Sequence, residues 1–312
     1  MLDADVVRLL ATVFGTPPAM PPDVAALRAA AEAAPGQLGA APETVDDVRD
    51  LAIDGGARPP IPVRVYRPRA AAGGPALLFA HGGGWVTGSL ASHDALCRQI
   101  ANRVRATLVA VDYALAPERR YPAALDDVDA AWSWLAREAA RLGADAARLA
   151  VAGDSSGGNL VAALTLRLRA RGAPQPAAQL LLYPALDRRA DAPSYERYAT
   201  GYNLTAAMMR WYWAAYAPDG DDADAELSPL AAPDLAGLAP AVVAVAAADV
   251  LHDEGVAYAK RLHEDGVPAR LVLCDGMVHG FLRWTRAVPA AQAHVDAACA
   301  ELRRLLDPPP GL

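Results

Sequence analysis

Residues Gly153-Asp154-Ser155-Ser156-Gly157 have the form G-x-S-x-G, with Ser155 at the centre. They follow the apolar run RLAVAG (148–153) and lead into a segment of helical period. A serine on such a strand-to-helix turn is presented at the tip of a sharp bend. The helix N-terminus turns partial positive charge toward it. A hydroxyl attacks only when a base removes its proton. In this setting the partners follow in chain order, an acid and then a histidine, each just after a strand. His81 and His93 precede the serine, His263 and His294 lie in helical patterns, and His252 comes before the last expected strand. That leaves His279, directly after ARLVLC (269–274) in CDGMVHGF, as the base. Asp249, next after AVVAVAAA (241–248), is the acid expected to orient it. Asp253 reads instead as an acidic charge at the start of the following helix.

A second motif, His81-Gly82-Gly83-Gly84-Trp85, follows ALLFA (76–80). Three successive glycines are costly to order, so bare backbone must serve a purpose there. Attack on an acyl carbonyl makes an oxyanion, which preorganised N–H groups stabilise. Gly83 and Gly84 are the expected donors, with the Ser156 N–H as a third. His81 is expected to hold the glycine loop by a hydrogen bond rather than to transfer protons.

These loops need strands to carry them. Apolar runs occur at 62–67, 76–80, 106–111, 148–153, 178–183, 241–248 and 269–274, rich in Val and Leu and without polar alternation. Such runs suit strands buried on both faces. Segments of helical period lie between them, at 124–142, 158–171 and 253–266, the last closed by Gly266 and Pro268. Alternating strand and helix predicts an α/β fold with a mostly parallel central sheet flanked by helices. Residues 1–45 read as helical, with Pro-rich punctuation at 17–22. Residues 187–238 interrupt the alternation and concentrate Tyr195, Tyr198, Tyr202, Trp211, Tyr212, Trp213 and Tyr216. We expect 46–186 and 239–312 to form the catalytic domain, with 187–238 an inserted helical cap and 1–45 its N-terminal part.

Composition narrows the function classes. The 312 residues are 54% hydrophobic and carry a net charge of −7. No Lys/Arg cluster offers a surface to nucleic acid or to an anionic membrane. Three cysteines without a CxxC spacing argue against a zinc site or a disulfide framework and for free buried thiols. The acidic N-terminus lacks a signal-peptide pattern, and no apolar stretch reaches the ~18 residues of a spanning helix. A cytoplasmic protein is expected.

Taken together, HGGGW (81–85), DYALAPERRYPA (112–123), GDSSGGN (153–159), DVLHDEG (249–255) and GMVHGF (276–281) resemble the hormone-sensitive-lipase family of α/β-hydrolase esterases, also called bacterial family IV. WYWAAY (211–216) is similar to that family's cap helix. The resemblance covers roughly 45–306. It implies an α/β-hydrolase fold with a helical cap and a serine carboxylesterase acting on short- to medium-chain acyl esters. It also implies Ser155, Asp249 and His279 as the triad and Gly83, Gly84 and Ser156 as oxyanion donors. No metal and no organic cofactor are implied, and homodimers are common in the family. Many members carry Ala where Ser156 stands, and the usual Asp-Pro-Leu-Arg reads Asp249-Val250-Leu251-His252 here.

Trp85, Trp211, Tyr212 and Trp213 are the aromatics expected to line the acyl pocket, with packing inside the cap as the alternative for each. Glu118 and Asn159 are expected to fix loops around the site. The acidic groups at 126–129 and 219–226 lack EF-hand spacing and read as solvated surface. Two other functions use the same residues. An amidase, or a hydrolase of N-acyl or bulky esters, would need the same triad and oxyanion hole. A ligand-binding homologue without catalysis would ordinarily lack a triad member, and none is lacking here.

Overall fold

The computed structural model describes residues 1–14, 20 and 22–307. The Pro-rich segment at 17–22 lies, apart from residues 20 and 22, outside the described residues. Strands β1 (Asp47–Ile53), β2 (Ile61–Arg67), β3 (Ala76–Ala80), β4 (Thr107–Val111), β5 (Leu149–Asp154), β6 (Ala178–Leu182), β7 (Ala241–Ala248) and β8 (Ala269–Val278) form one sheet in the order β1-β2-β4-β3-β5-β6-β7-β8. The pairs β1/β2 and β2/β4 are antiparallel, and every other pair is parallel. Helices α1 (Ala4–Thr12), α2 (Val24–Leu38), α3 (Asp94–Val104), α4 (Ala123–Glu138), α5 (Ser156–Ala170), α6 (Pro193–Arg197), α7 (Ala206–Tyr216), α8 (His252–Glu264) and α9 (Ala291–Leu306) surround it.

All seven expected strands are present. The eighth, β1, has no counterpart among the apolar runs. Its sequence DVRDLAI buries only Ile53 fully, because it is an edge strand with little packed on it. Charge holds it instead: Arg64 on β2 binds Asp50 at 2.6 Å. In the interior, β3 to β7 are apolar except for the buried Thr107, Asp154 and Gln179, because both faces are covered. Leu77 and Phe79 of β3 point toward the core shared with α1, α3 and α9, while Leu78 and Ala80 point toward the core of α4, α5 and α8.

Parallel strands bring their C-terminal ends to one edge, where open α/β sheets place their ligands. His81 follows β3, Ser155 follows β5, Asp249 follows β7 and His279 follows β8. Register does the fine positioning. Ala80 is opposite Gly153, so the glycine loop starts beside the serine turn. On β7 and β8, Ala246 faces Cys274 but Ala248 faces Val278, so two residues of β7 span four of β8. That bulge slides the end of β8 until His279 and Asp249 leave the sheet side by side, a common use of bulges near active sites.

Candidate active site

Ser155 occupies a backbone conformation that L-residues avoid, φ 56° and ψ −119°. Strain of this kind costs about 1–3 kcal/mol and persists only where the surroundings impose it. Two glycines allow it. A β-carbon on Gly157 would lie 2.0 Å from the Ala80 carbonyl oxygen, and one on Gly153 would lie 2.3 Å from that of Gly157. The first turn of α5 therefore sits directly on the end of β3. The Ser155 N–H donates to Leu182 O, pinning the turn to β6 as well.

The hydroxyl of Ser155 lies 2.9 Å from His279 Nε2, and His279 Nδ1 lies 2.7 Å from Asp249 Oδ2. An ionised carboxylate only accepts, so Nδ1 carries the proton and Nε2 is left to receive one from the serine. Asp249 is buried, and its Oδ1 accepts from Leu251 N at 3.0 Å, which holds the carboxylate in plane. Asn203 donates Nδ2 to His279 O at 3.0 Å, and the Tyr183 ring lies 4.8 Å from the imidazole. His252 turns away and meets Ala246 O at 2.8 Å.

Beside Asp249, Glu254 is buried and accepts from Asp187 N. Burial, with the neighbouring Asp187 and Asp249 charges, pushes its carboxyl well above the usual 4.5. The folded protein therefore keeps a proton that the unfolded chain releases, so stability is lost as pH rises above the unfolded value. Glu254→Gln should accordingly raise the melting temperature at pH 8 and make little difference near pH 5. A larger gain at pH 5 than at pH 8 would refute this.

The glycine loop is held from behind. Asp154 accepts from Gly82 N at 2.7 Å and has His93 Nε2 at 3.2 Å. Burial would raise the Asp154 carboxyl, but His93, the more distant Arg283 and the Gly82 N–H outweigh it and hold it at about 2. His81 fulfils its expected part, with Nδ1 2.9 Å from Gly82 O. Burial and the nearby His93 lower its pKa to about 3, so the ring is neutral. Among the described residues, neither the Gly83 nor the Gly84 N–H has an acceptor. The Ser156 N–H is the first of α5 and is unpaired by helix geometry. Gly83, at φ +129°, is crowded by Thr87 O, and Gly84, at φ +60°, by the Tyr212 ring.

A β-carbon on Gly84 would lie 2.2 Å from Tyr212 Cδ1. Gly84→Ala should therefore displace the loop and cut kcat by about 10²-fold or more, the scale of losing one oxyanion donor. Adding Tyr212→Ala should restore only part of that loss, because the positive φ remains. Full recovery in the double variant would show that steric crowding alone was at work.

These groups face a cavity of about 390 Å³. Leu27, Ala30 and Ala31 of α2 and Met208, Met209 and Tyr212 of α7 form its apolar walls. Of the four aromatics expected to line it, only Tyr212 does so. Trp85 is buried and stacks on Tyr216 (4.6 Å, 2°), with Trp213 4.2 Å away. Trp211 packs against the core and meets Tyr212 edge-on. The correction follows from helix geometry. Residues 208 and 212 are four apart and share a face, whereas 211 and 213 are each turned about 100° from 212. The sequence reading also missed Asn203, Asp154 with His93, and Arg283 on the cavity wall. For Arg283 a signal was available, a charged residue one short turn beyond the histidine.

Loop-fixing residues behave as expected. Glu118 binds Arg28 of α2 at 2.7 Å, and Arg28 also donates to Val86 O and Ala116 O, tying α2 to the loop after the glycines. Asn159 donates to Leu227 O at 3.0 Å. The acidic segments are less solvated than expected. Asp126 and Glu226 share Arg167, Asp129 pairs with Arg171, and Asp127 is buried and accepts from Ala114 N. Cys97, Cys274 and Cys299 are free, buried thiols. Among the described residues no helix is long and apolar enough to cross a membrane.

An eight-stranded sheet with a serine, a histidine and an aspartate at its C-terminal edge is the architecture of an α/β hydrolase. A family model described as the alpha/beta hydrolase fold matches residues 77–283. Ethyl acetate hydrolase of Pseudomonas putida is 42% identical over 78% of this chain and 77% of its own. Carboxylic ester hydrolase LipN of Mycobacterium tuberculosis is 41% identical over 89% of this chain and 74% of its own. Among solved structures, the ester-hydrolase EH1AB1 from the metagenome of Lake Arreo is 40% identical with a TM-score of 0.91, covering 97% of this chain and 98% of that one. The chain belongs to the α/β-hydrolase family, in its hormone-sensitive-lipase-like branch, bacterial family IV. It is a carboxylic ester hydrolase.

Proposed function

We propose that the protein hydrolyses short- to medium-chain acyl esters through an acyl-enzyme on Ser155. His279 takes the serine proton as Oγ attacks, and Asp249 stabilises the imidazolium that forms. The N–H groups of Gly83, Gly84 and Ser156 receive the oxyanion. His279 then protonates the leaving alcohol and activates the water that frees the acid. The observation that carries this reading is the unbroken contact from Ser155 to His279 to Asp249 at 2.9 and 2.7 Å, opening on unpaired glycine N–H groups. Residues 1–45 and 187–238 act as the cap, because their helices supply the apolar walls of the cavity. A cavity of about 390 Å³ suits short chains. The free buried thiols fit a cytoplasmic location.

The test is hydrolysis of p-nitrophenyl esters from acetyl to palmitoyl. Rates should peak at short chains and fall steeply toward palmitoyl. Absence of turnover on every ester of the series would refute the proposal.

We also place a homodimer contact at β8. Among the described residues β8 is the last strand of the sheet, its outer edge taking the Asp3 N–H at Gly276 O, and Leu271 and Leu273 are 40% and 53% exposed on it. Unpaired apolar edges invite pairing with another chain. Leu273→Glu should shift the sedimenting species from dimer to monomer; a wild-type monomer at all concentrations would dismiss the contact.

A further inference from the structure

Arg283 stands apart from the other arginines around the site. It lines the same cavity as Ser155 and His279, four residues beyond the histidine in the short 3-10 turn Phe281–Arg283. Arg28, Arg64 and Arg167 each hold a carboxylate at 2.8 Å or less. Among the described residues Arg283 has no carboxylate within 4.0 Å, and its side chain donates to no acceptor. Its Nε is sealed from solvent without a partner. The buried Asp154 carboxylate, which also lines this cavity, is already engaged by Gly82 N and His93. Removing guanidinium donors from water without acceptors is costly. An open fork on a cavity wall is therefore suited to an acceptor brought by a ligand.

The fork is well placed for that. A β-carbon on Gly280, the residue after His279, would lie 3.9 Å from Arg283 Nη2 and 3.6 Å from Asn203 Nδ2. Both donors, with the Trp284 ring at 3.7 Å, thus lie close to Gly280 on the wall of the cavity that His279 also lines. The guanidinium fork matches a carboxylate bidentately, and Asn203 Nδ2 keeps a second N–H beside the one it gives to His279 O.

We propose that Arg283, with Asn203, selects esters that carry a free carboxylate a few atoms from the scissile carbonyl. The carboxylate can belong to the alcohol part or to the acyl part. This rests on the esterase reading above and names its substrate class.

The test uses isosteric pairs. Acetoxyacetate against isobutyl acetate puts the carboxylate in the alcohol part. Monoethyl succinate against ethyl 4-methylpentanoate puts it in the acyl part. The readout is the ratio of kcat/KM within each pair. In at least one pair the wild-type enzyme should favour the carboxylated ester. Arg283→Met should lower that ratio roughly 10- to 100-fold, mainly through KM, as for loss of a charged hydrogen bond. Arg283→Lys should recover part of it. The proposal is overturned if both ratios are unchanged in Arg283→Met. It is also overturned if the two esters of a pair fall together, since Arg283 would then serve the oxyanion or the fold. Should Arg283→Met not fold, a wild-type enzyme that disfavours both carboxylated esters at least tenfold overturns it as well. Calorimetric binding of these esters to Ser155→Ala separates the two readings. Arg283-dependent binding, with no turnover of these esters or of any p-nitrophenyl ester by the wild type, would refute the proposed acyl-enzyme function and leave the carboxylate site standing.

Discussion

Ser155→Ala should lower kcat on p-nitrophenyl acetate by about 10⁵–10⁶-fold, the scale seen when a serine nucleophile is removed. The expectation rests on a division of labour. In the proposed mechanism Gly83, Gly84 and Ser156 act through the backbone, and their N–H groups survive the substitution. His279 keeps its contact with Asp249. What disappears is the Oγ proposed to form the acyl bond, which is the partner of Nε2 at 2.9 Å. A residual rate about 10³-fold over water should therefore persist, supplied by the oxyanion donors and binding alone. Stability should change little, because alanine keeps the β-carbon and the same strained φ of 56°. Ligand binding should survive too. A loss of activity below 100-fold, with an unchanged melting temperature, would place the chemistry at another group.

The site was more legible in the sequence than the pocket around it. Ser155, His279 and Asp249 could be selected because each must follow a parallel strand in a set order, and buried parallel strands are written as uninterrupted apolar runs. The glycine loop was legible for a related reason: no other residue tolerates φ +129° and +60° with a ring and a carbonyl at the β-carbon position. The strand β1 was hidden because it is an edge held by ion pairs, so no apolar run marks it. The register shift on β8 was hidden as well. It depends on how two strands pair, which a single run cannot express. The aromatics of α7 misled for another reason. WYW is three residues on three different faces of one helix, and only tertiary packing decides which face meets the cavity. Met208, Met209 and Tyr212 do, while Trp213 turns inward to Trp85. Arg283 shows the same limit in reverse. Its charge is plain in the sequence, but that it meets no partner among the described residues is a property of the folded surroundings.

Asp249→Asn should cost about 10⁴-fold in kcat with little change in KM, although it preserves shape almost completely. The geometry explains why so small a change is so damaging. Oδ1 accepts from the Leu251 N–H at 3.0 Å, so the amide must keep its oxygen on that side. Its NH₂ then faces His279 Nδ1 across the 2.7 Å contact. A donor there requires Nδ1 to be the acceptor and moves the ring proton to Nε2. The imidazole would then present a proton to Ser155 and have no lone pair to receive one. The imidazolium would also lose its counter-charge. Asp249→Ala imposes no tautomer, so it provides the control. If the trapped tautomer dominates, the near-isosteric asparagine should be at least as harmful as alanine, despite the cavity alanine leaves. Comparing kcat for the two variants on one short-chain ester decides it. An asparagine variant retaining more than a tenth of wild-type kcat would mean that His279 finds its orientation from Asn203 and Tyr183 alone, and that the Asp249 charge is dispensable.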